Sequence, residues 1–331
     1  MIRLNPVFRD HVVFQAGKPV RVFGTGSGEV RVSFLGEEKT IYADGKEWLV
    51  ELKPQSYGGP FSMELSLDGH EITLNDIMIG EVLLCAGQSN MQFTMAEEAT
   101  PSSSYESDLF LRTYTVDRPE ANKPLTPEDG WVCCCAESVG KWSALGYLTG
   151  RKLREKGVPA VGIVLCAQGA SVIQSWMDTD SLKAPEFQIA QEKLCEDHMV
   201  YSQWNAPSFL YETMFKTVTP FSFGNAVWYQ GESNDSPAEG AVYVSLLGAM
   251  IQSWRREDRD EALPFVIVQI ADSRRNEGWF AVQKAQEEAP AVIPHVRTVK
   301  SADVCEKEMI HPVTKGPLAS RIADAVWLYQ K

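Results

Sequence analysis

The chain lacks several features that mark whole classes of protein. It has no apolar stretch of membrane-spanning length, and no run of basic residues offsets its formal net charge of -13. The first absence argues against a membrane-spanning protein, and the second argues against nucleic acid or anionic membranes as partners. The acidic balance does not restrict a small substrate, because a local cationic pocket can sit inside an acidic protein.

Paired cysteines and a leader pattern are also missing. The seven cysteines include the adjacent trio Cys133-Cys134-Cys135, and none shows the Cys-x-x-Cys spacing typical of zinc sites. Neighbouring cysteines are poor disulfide partners, so we expect reduced thiols and no bound metal. The first six residues show no basic segment followed by an apolar one. We therefore expect a cytoplasmic protein, although a secreted chain that had lost its signal peptide would show the same pattern.

The 331 residues, 44% of them hydrophobic, are enough for two domains. Residues 1–75 are interpreted as a small N-terminal all-β domain of the sandwich type, with no catalytic role. Its strands are predicted from alternating apolar and polar residues, with turns containing Gly, Asp and Pro between them. The alternation occurs in Val20–Gly24, Val30–Phe34 and Phe61–Leu67. His11 and His70 are interpreted as surface or turn residues of this domain.

Residues 76–331 alternate strand and helix patterns, which predicts a three-layer α/β/α domain with a doubly wound, mainly parallel sheet. The predicted strands are Ile79–Cys85, Val158–Cys166, Asn225–Tyr229, Phe265–Ile270 and Val296–Val299. The predicted helices are Trp142–Lys156, Phe209–Thr217, Tyr243–Arg255, Gln283–Ala289 and Pro317–Trp327. Sheets of this kind bind ligands at the carboxyl ends of their strands, so residues directly after the strands are the candidates for a site.

Ser89 is the first candidate, because the apolar run before it ends abruptly in Gly-Gln-Ser-Asn-Met. A serine between a strand and a helix has an exposed hydroxyl and backbone N–H groups nearby, as an acyl-transfer nucleophile needs. The same pattern is also typical of an ordinary helix N-cap. The sequence around Ser89 alone does not decide between these interpretations.

Three further stretches carry polar groups at equivalent positions. Gly169 follows a core strand and could point its N–H at a ligand, although Gly-Ala-Ser is also an ordinary turn between strand and helix. Gln230 and Asn234 follow the next strand and could donate side-chain hydrogen bonds to an oxyanion, or cap a helix. His311, in Glu-Met-Ile-His-Pro, is the candidate general base. His198 and His295 lack an acid three residues before them.

Together these segments identify a resemblance. The chain resembles the sialate O-acetylesterase-type members of the SGNH (GDSL-like) hydrolase superfamily, related to carbohydrate esterase family 6, over nearly its full length. The resemblance is carried by Phe8–Gln15 and Pro19–Gly24 in the β-domain, and by Gly87–Met91, Trp228–Asn234 and Ile310–Pro312 in the catalytic region. Longer members carry an extra β-domain inside the catalytic region, for which this chain has no room.

The resemblance implies a set of roles. Ser89 would be the nucleophile and His311 the base, and the oxyanion would be held by the N–H groups of Ser89 and Gly169 and one amide side chain. Gln230 is favoured for that amide, with Asn234 as the second candidate. The superfamily places an Asp three residues before the histidine, where this chain has Glu308, so Glu308 is the predicted orienting acid, with Asp303 and Glu306 as alternatives.

The predicted reaction is removal of acetyl groups from O-acetylated sugars, without metal or organic cofactor. The resemblance makes sialic acid the first substrate to consider, and acetylated xylan or another acetyl-oligosaccharide is the alternative. Arg112, Arg274 and Arg275 could pair with a sialic acid carboxylate or be solvated surface residues. A non-catalytic carbohydrate-binding protein on the same fold is the rival from another class, because the acid before His311 is replaced.

Overall fold

The structure is a computed structural model that describes residues 2–119, 130–187, 203–273 and 276–329. The strands are β1 Arg3–Leu4, β2 Val13–Gln15, β3 Val20–Phe34, β4 Glu37–Leu52, β5 Gly58–Leu67, β6 His70–Gly87, β7 Asp108–Thr115, β8 Val132–Cys134, β9 Val161–Ala167, β10 Asn225–Tyr229, β11 Phe265–Val268 and β12 Val296–Val299. The α-helices are α1 Ser89–Gln92, α2 Ala144–Glu155, α3 Phe209–Thr213, α4 Pro237–Glu257, α5 Glu277–Val292 and α6 Gly316–Trp327. Short 3₁₀ turns lie at Ser102–Ser104, Val139–Lys141, Ile173–Trp176, Ser181–Lys183, Gln203–Asn205 and Phe215–Val218.

The strands form one large mixed sheet, and the α/β prediction is confirmed. Six strands are parallel in the order β7-β9-β6-β10-β11-β12, and β8 adds an antiparallel edge beside β7. These strands are almost continuously apolar and buried, as expected for a parallel sheet that is covered by other elements. The strands β7 and β9, which follow β6 in the chain, lie on one side of it, and the next strand, β10, lies on its other side, so β6 is at the topological switch point.

β6 joins two differently built regions. Its first part, His70–Ile79, pairs antiparallel with β5, and from Glu81 onwards it pairs parallel with β9. At Gly80 a side chain would have no room, since an added Cβ would lie 2.4 Å from the Ala160 carbonyl oxygen. The predicted division at residues 75 and 76 falls inside this continuous strand, and it stays a prediction.

The N-terminal strands pair antiparallel except for β2, which pairs parallel with β6, and two of the strands differ from the prediction. Val20–Gly24 and Val30–Phe34 are parts of the single strand β3, with a register shift between Thr25 and Ser27. The glycines interpreted as turn residues instead adopt positive φ angles, 103° at Gly26 and 142° at Gly28, and absorb the irregularity within the strand. β4 was not predicted, because most of its residues are polar and exposed.

The helices α4 and α5 begin directly after residues whose side chains cap them. Ser236 caps α4 by accepting a hydrogen bond from the Glu239 N–H, and Pro237 occupies the first turn, so α4 starts six residues before the predicted Tyr243. Asn276 caps α5 through the Trp279 N–H. The helices α4 and α5 pack together, as do α2 and α6. In the part of the chain that the structure describes, no helix combines the length and apolarity needed to cross a membrane.

Buried arginines tie the N-terminal region to the parallel strands. Arg112 on β7 is 2% exposed and bonds the Asp76 carboxylate as well as the carbonyls of His11 and Asp76. The suggestion that Arg112 could meet a substrate carboxylate is therefore wrong, because its charge is already neutralised by Asp76.

His11, Asp76 and Cys133 lie close enough together to hold a metal ion, but the Asp76 oxygens are engaged by Arg112 and His11.

Candidate active site

Ser89 lies where the parallel sheet opens at its switch point. It is the first residue of α1 and follows the end of β6 by two positions. Gly87 makes this approach possible, since its φ is +134° and a Cβ there would lie 2.1 Å from the Tyr229 carbonyl oxygen. The neighbouring strands are fixed around this turn, because the Gln88 N–H donates to Tyr229 O and the Gln168 N–H donates to Gly87 O.

Ser89 and His311 form a hydrogen-bonded pair. The Ser89 Oγ lies 2.8 Å from the His311 Nε2, although 222 residues separate them in the chain. Ser89 is not an N-cap, since the cap position is Gln88. As the first helical residue, Ser89 has a backbone N–H with no partner inside the helix, and this donor is left at the site.

His311 belongs to the irregular segment between β12 and α6. The ring lies 6.4 Å from the Phe93 ring, measured between centroids. Desolvation and the Lys315 cation lower the pKa of His311 below its ordinary value, and the Glu97 carboxylate opposes them. Because the pKa is lowered, the imidazole is neutral at neutral pH, which is the form that can accept a proton from a serine.

None of the three carboxylates considered for orienting His311 is hydrogen-bonded to its ring. Glu308 has a φ of 62°, is exposed, and its N–H bonds the Asp272 carbonyl. Asp303 forms an ion pair with Arg321, and Glu306 accepts hydrogen bonds from Thr314. Among the described residues, no carboxylate accepts a hydrogen bond from His311. The predicted Glu308–His311 contact is therefore absent from this structure: the Asp303 and Glu306 carboxylates are engaged by Arg321 and Thr314, and Glu308 is exposed.

Gly169 comes close to the nucleophile, as predicted. A Cβ built on Gly169 would lie 3.6 Å from the Ser89 Cβ, so a glycine lets the backbone approach the serine. The Gly169 N–H donates to the Gln92 side-chain oxygen at 2.9 Å. Gln92, which the sequence analysis did not consider, sits in the last turn of α1 and occupies the donor predicted for the oxyanion.

Gln230 and Asn234 are fully buried, and their amides are engaged with protein groups. The Gln230 Nε2 donates to Ser171 O and to Asn234 Oδ1, and its Oε1 accepts from the Tyr243 hydroxyl. Asn234 Oδ1 also accepts from the Ile173 N–H, and its Nδ2 donates to two other side chains. The two amides thus brace the segment that follows Gly169, and neither is part of the pocket surface.

An open pocket of about 610 Å³ lies in front of the pair. Its lining consists of Gln88, Ser89, Gln92, Arg118, Gln168, Gly169, Ala170, Trp204, Glu232, Ser233, Asp235, Ile310 and His311. Arg118 and Trp204 have no motif around them in the sequence: Arg118 lies in the irregular segment after β7, and Trp204 lies in the 3₁₀ turn Gln203–Asn205. The pocket volume is in the usual range for small-molecule sites.

The sequence also offered Arg274, Arg275 and His198, and these three lie outside the described residues.

Fold and site together define a class. A serine bonded to a histidine, at the carboxyl ends of a parallel sheet and beside free or displaceable backbone N–H groups, is the arrangement of serine-dependent ester hydrolases. A family model described as carbohydrate esterase, sialic acid-specific acetylesterase, matches residues 80–327, which is more than half of the chain. The chain belongs to this family of carbohydrate esterases.

Individual relatives agree with the family. The chain is 25% identical over 356 residues to the sialate O-acetylesterase of Homo sapiens, covering 93% of this chain and 66% of the relative, and 25% identical to that of Mus musculus, covering 93% and 69%. It thus spans slightly less than two thirds of the human relative's length. A crystal structure of a carbohydrate acetylesterase from Xanthomonas citri superposes with a TM-score of 0.83 at 29% identity, covering 98% of this chain and 74% of that one.

Proposed function

We propose that the protein is a serine-dependent carbohydrate O-acetylesterase whose preferred substrate is O-acetylated sialic acid. The observation that carries the proposal is the 2.8 Å contact between Ser89 Oγ and His311 Nε2 at the floor of a sugar-sized pocket. A protein that only binds carbohydrate has no need for a nucleophile paired with a base.

The reaction takes two steps. The Ser89 oxygen attacks the acetyl carbonyl while His311 Nε2 takes the serine proton, and His311 then gives that proton to the departing sugar hydroxyl. Water, deprotonated by His311, attacks the acetyl-serine ester and releases acetate. The serine recovers its proton from His311, so the enzyme returns to its starting state.

The oxyanion is assigned to the N–H groups of Ser89 and Gly169. Each such donor contributes about 3 kcal/mol to the stability of the tetrahedral intermediate. In this structure the Gly169 N–H is bonded to Gln92 Oε1, so the substrate's carbonyl oxygen would displace the Gln92 side chain. Gln230 and Asn234 hold the Gly169 segment in place from behind, rather than touching the oxyanion themselves.

We assign the parallel strands and their helices to a three-layer SGNH-type arrangement, with the antiparallel N-terminal strands as a small sandwich-like unit. In support of this assignment, α2 packs with α6 and contacts β9, while α4 packs with α5.

Arg118 is the group that favours an anionic sugar. It is the only arginine or lysine among the described residues that line the pocket, and a guanidinium pairs well with a carboxylate. Sialic acid carries a carboxylate, whereas an acetylated xylo-oligosaccharide does not. Glu232 and Asp235 also line the pocket and suit hydrogen bonds from sugar hydroxyl groups.

The substrate assignment is tested with Arg118→Gln. We expect the KM for O-acetylated sialic acid to rise about tenfold, because a hydrogen bond to a charged group is lost. The kcat/KM for 4-nitrophenyl acetate, which has no carboxylate, should stay unchanged. Arg31→Gln, which alters an exposed arginine paired with Glu71 in the N-terminal region, is the matched control.

The opposite pattern would redirect the assignment. If wild-type protein releases acetate faster from acetylated xylo-oligosaccharides, and Arg118→Gln leaves the KM for the sialic acid ester unchanged, the substrate is a neutral acetyl-oligosaccharide. If wild-type protein binds acetylated sugars but releases no acetate from either, the protein is a non-catalytic carbohydrate-binding member of the fold.

A further inference from the structure

Asn90, the residue after the proposed nucleophile, also contacts the residue before the proposed base. Its side chain is fully buried, and its Nδ2 donates to the Ile310 carbonyl at 2.8 Å and to the Glu232 carboxyl at 2.6 Å. Its Oδ1 accepts from Lys315 Nζ at 2.6 Å. One amide therefore connects the α1 turn with the segment that carries His311.

The orientation of this amide is fixed by its partners. Lysine has three donors and no acceptor, so the Asn90 oxygen must face Lys315 and the nitrogen must face Ile310 and Glu232. Lys315 is itself held in a fully buried place, with its ammonium 4.8 Å from the centre of the Phe93 ring and 5.6 Å from that of Tyr229.

The network matters because His311 lacks an orienting carboxylate. In a serine–histidine–acid triad, the acid holds the imidazole towards the serine. Here no carboxylate among the described residues accepts a hydrogen bond from His311, while the backbone one residue before His311 is anchored by Asn90. Holding the backbone at Ile310 restricts where the ring can lie.

We propose that Asn90, locked by Lys315 and Glu232, is a positioning residue that holds His311 against Ser89 in place of the missing triad acid. This inference rests on the proposed esterase function and adds the device that aligns its two reacting groups. A buried network of this kind costs stability where it is only partly satisfied. Here every polar position of the Asn90 side chain has a partner, while the second carboxyl oxygen of Glu232 has none among the described residues.

The charge of Lys315 gives the network an electrical effect as well. Its ammonium is one of the causes that lower the pKa of His311. The titratable groups around Lys315 are Glu98, Glu232, Cys305 and Glu306, and Glu97 acts on His311 from the other side. Removing the Lys315 charge should therefore raise the pKa of His311.

The first test compares Asn90→Ala with Asn225→Ala. Asn225 is a matched control, because it is also buried at 1% exposure and also donates to a buried carboxylate, Glu81 at 3.0 Å, but at the far end of β10. We expect both variants to lower the melting temperature. Only Asn90→Ala should lower kcat for 4-nitrophenyl acetate, by about ten- to a hundredfold, because small displacements of reacting groups cost that much. The KM should change little.

Lys315→Met supplies a second readout that does not depend on how well Asn90→Ala folds. A buried methionine keeps most of the side-chain length without the charge. We expect the acidic limb of the kcat/KM profile to move to higher pH, since His311 then keeps its proton to higher pH and only the neutral ring is a base. A purely structural role for Lys315 would lower activity at every pH without moving the limb.

The outcomes separate this inference from the proposal on which it rests. Full kcat in Asn90→Ala, or equal kcat losses in Asn90→Ala and Asn225→Ala, would overturn the positioning role while Ser89→Ala remains inactive. An unmoved acidic limb in Lys315→Met would overturn the electrical effect of Lys315 on His311. If the wild type itself shows no turnover, or Ser89→Ala retains it, the esterase proposal fails first and the positioning role falls with it.

Discussion

His311 experiences opposing influences that decide how it can act. Burial and the Lys315 cation disfavour the charged ring, and Glu97 favours it, with a lowered pKa as the result. A general base must be unprotonated before it acts, so a lowered pKa increases the active fraction at and below neutral pH. The cost is a weaker base, which the short contact to Ser89 offsets through alignment.

Glu308→Gln tests whether a carboxylate in the sequence position of the triad acid is needed. We expect kcat/KM for 4-nitrophenyl acetate to stay within about twofold of wild type, because an exposed side chain without structural contacts is usually replaceable at that cost. Asp303→Asn, which breaks only the surface pair with Arg321, serves as the control. A loss of a thousandfold or more in Glu308→Gln would mean that Glu308 turns to His311 in the working enzyme.

At the residue scale, the sequence indicated the pair but not its surroundings. Ser89 was predictable because a strand end and its turn place it, which are local properties. The acid was not, since whether the Glu308 carboxylate reaches the His311 ring depends on the path of an irregular segment, which no local pattern determines. Gln230 was assigned to the oxyanion because amides can donate there, but its buried partners, such as Tyr243, are invisible in the sequence.

Among the elements, the end of β6 is the one that most strictly requires a glycine, at position 87. Gly87 pairs with Tyr229 on one side and with Ala167 on the other. At Gly87 the backbones of β9 and β10 both approach closely, and the chain turns from β6 into α1. The backbone there leaves no room for a side chain, so the position of Ser89 depends on a residue that carries no chemistry.

Gly87→Ala should damage both stability and activity. A methyl group would collide with the Tyr229 carbonyl in a backbone conformation that side chains rarely adopt, and we expect a loss of about 3 kcal/mol or more in the free energy of unfolding. Urea unfolding and kcat for 4-nitrophenyl acetate measure the two effects.

Gly157→Ala is the control for this substitution. Gly157 has a φ of +92° with nothing within 4 Å of an added Cβ, so only the conformational cost of about 1 kcal/mol applies. Equal losses of stability in the two variants, with wild-type kcat in Gly87→Ala, would refute the steric account of this turn.

The periodicity of apolar residues predicted whether a segment is a helix or a strand better than it predicted where that segment begins and ends. β10 and β12 have the predicted bounds, although only β10 is a continuous buried run; β12, Val-Arg-Thr-Val, is buried at its two valines alone. The glycines inside β3 were misinterpreted as turns, since a bulge and a turn use the same residue type. The polar strand β4 depends on pairing with β3 along almost its whole length, which no local pattern reveals.

At the scale of the whole molecule, β6 makes one sheet of two architectures. Its antiparallel first part anchors the N-terminal strands, and its parallel second part ends at the nucleophile. Buried links such as Arg112 with Asp76 and Arg21 with the Asp258 carbonyl join the same two regions elsewhere. The N-terminal region thus supports the strand that presents Ser89, without contributing a residue to the pocket.

The central claim is that Ser89 is the nucleophile of an esterase. The most direct test measures acetate release from 4-nitrophenyl acetate and from O-acetylated sialic acid by wild type, by Ser89→Ala and by Ser102→Ala, an exposed serine outside the pocket. We predict turnover by wild type and Ser102→Ala, and a loss of about a thousandfold or more in Ser89→Ala with an unchanged melting temperature. No turnover by wild type, or undiminished turnover in Ser89→Ala, would contradict the claim.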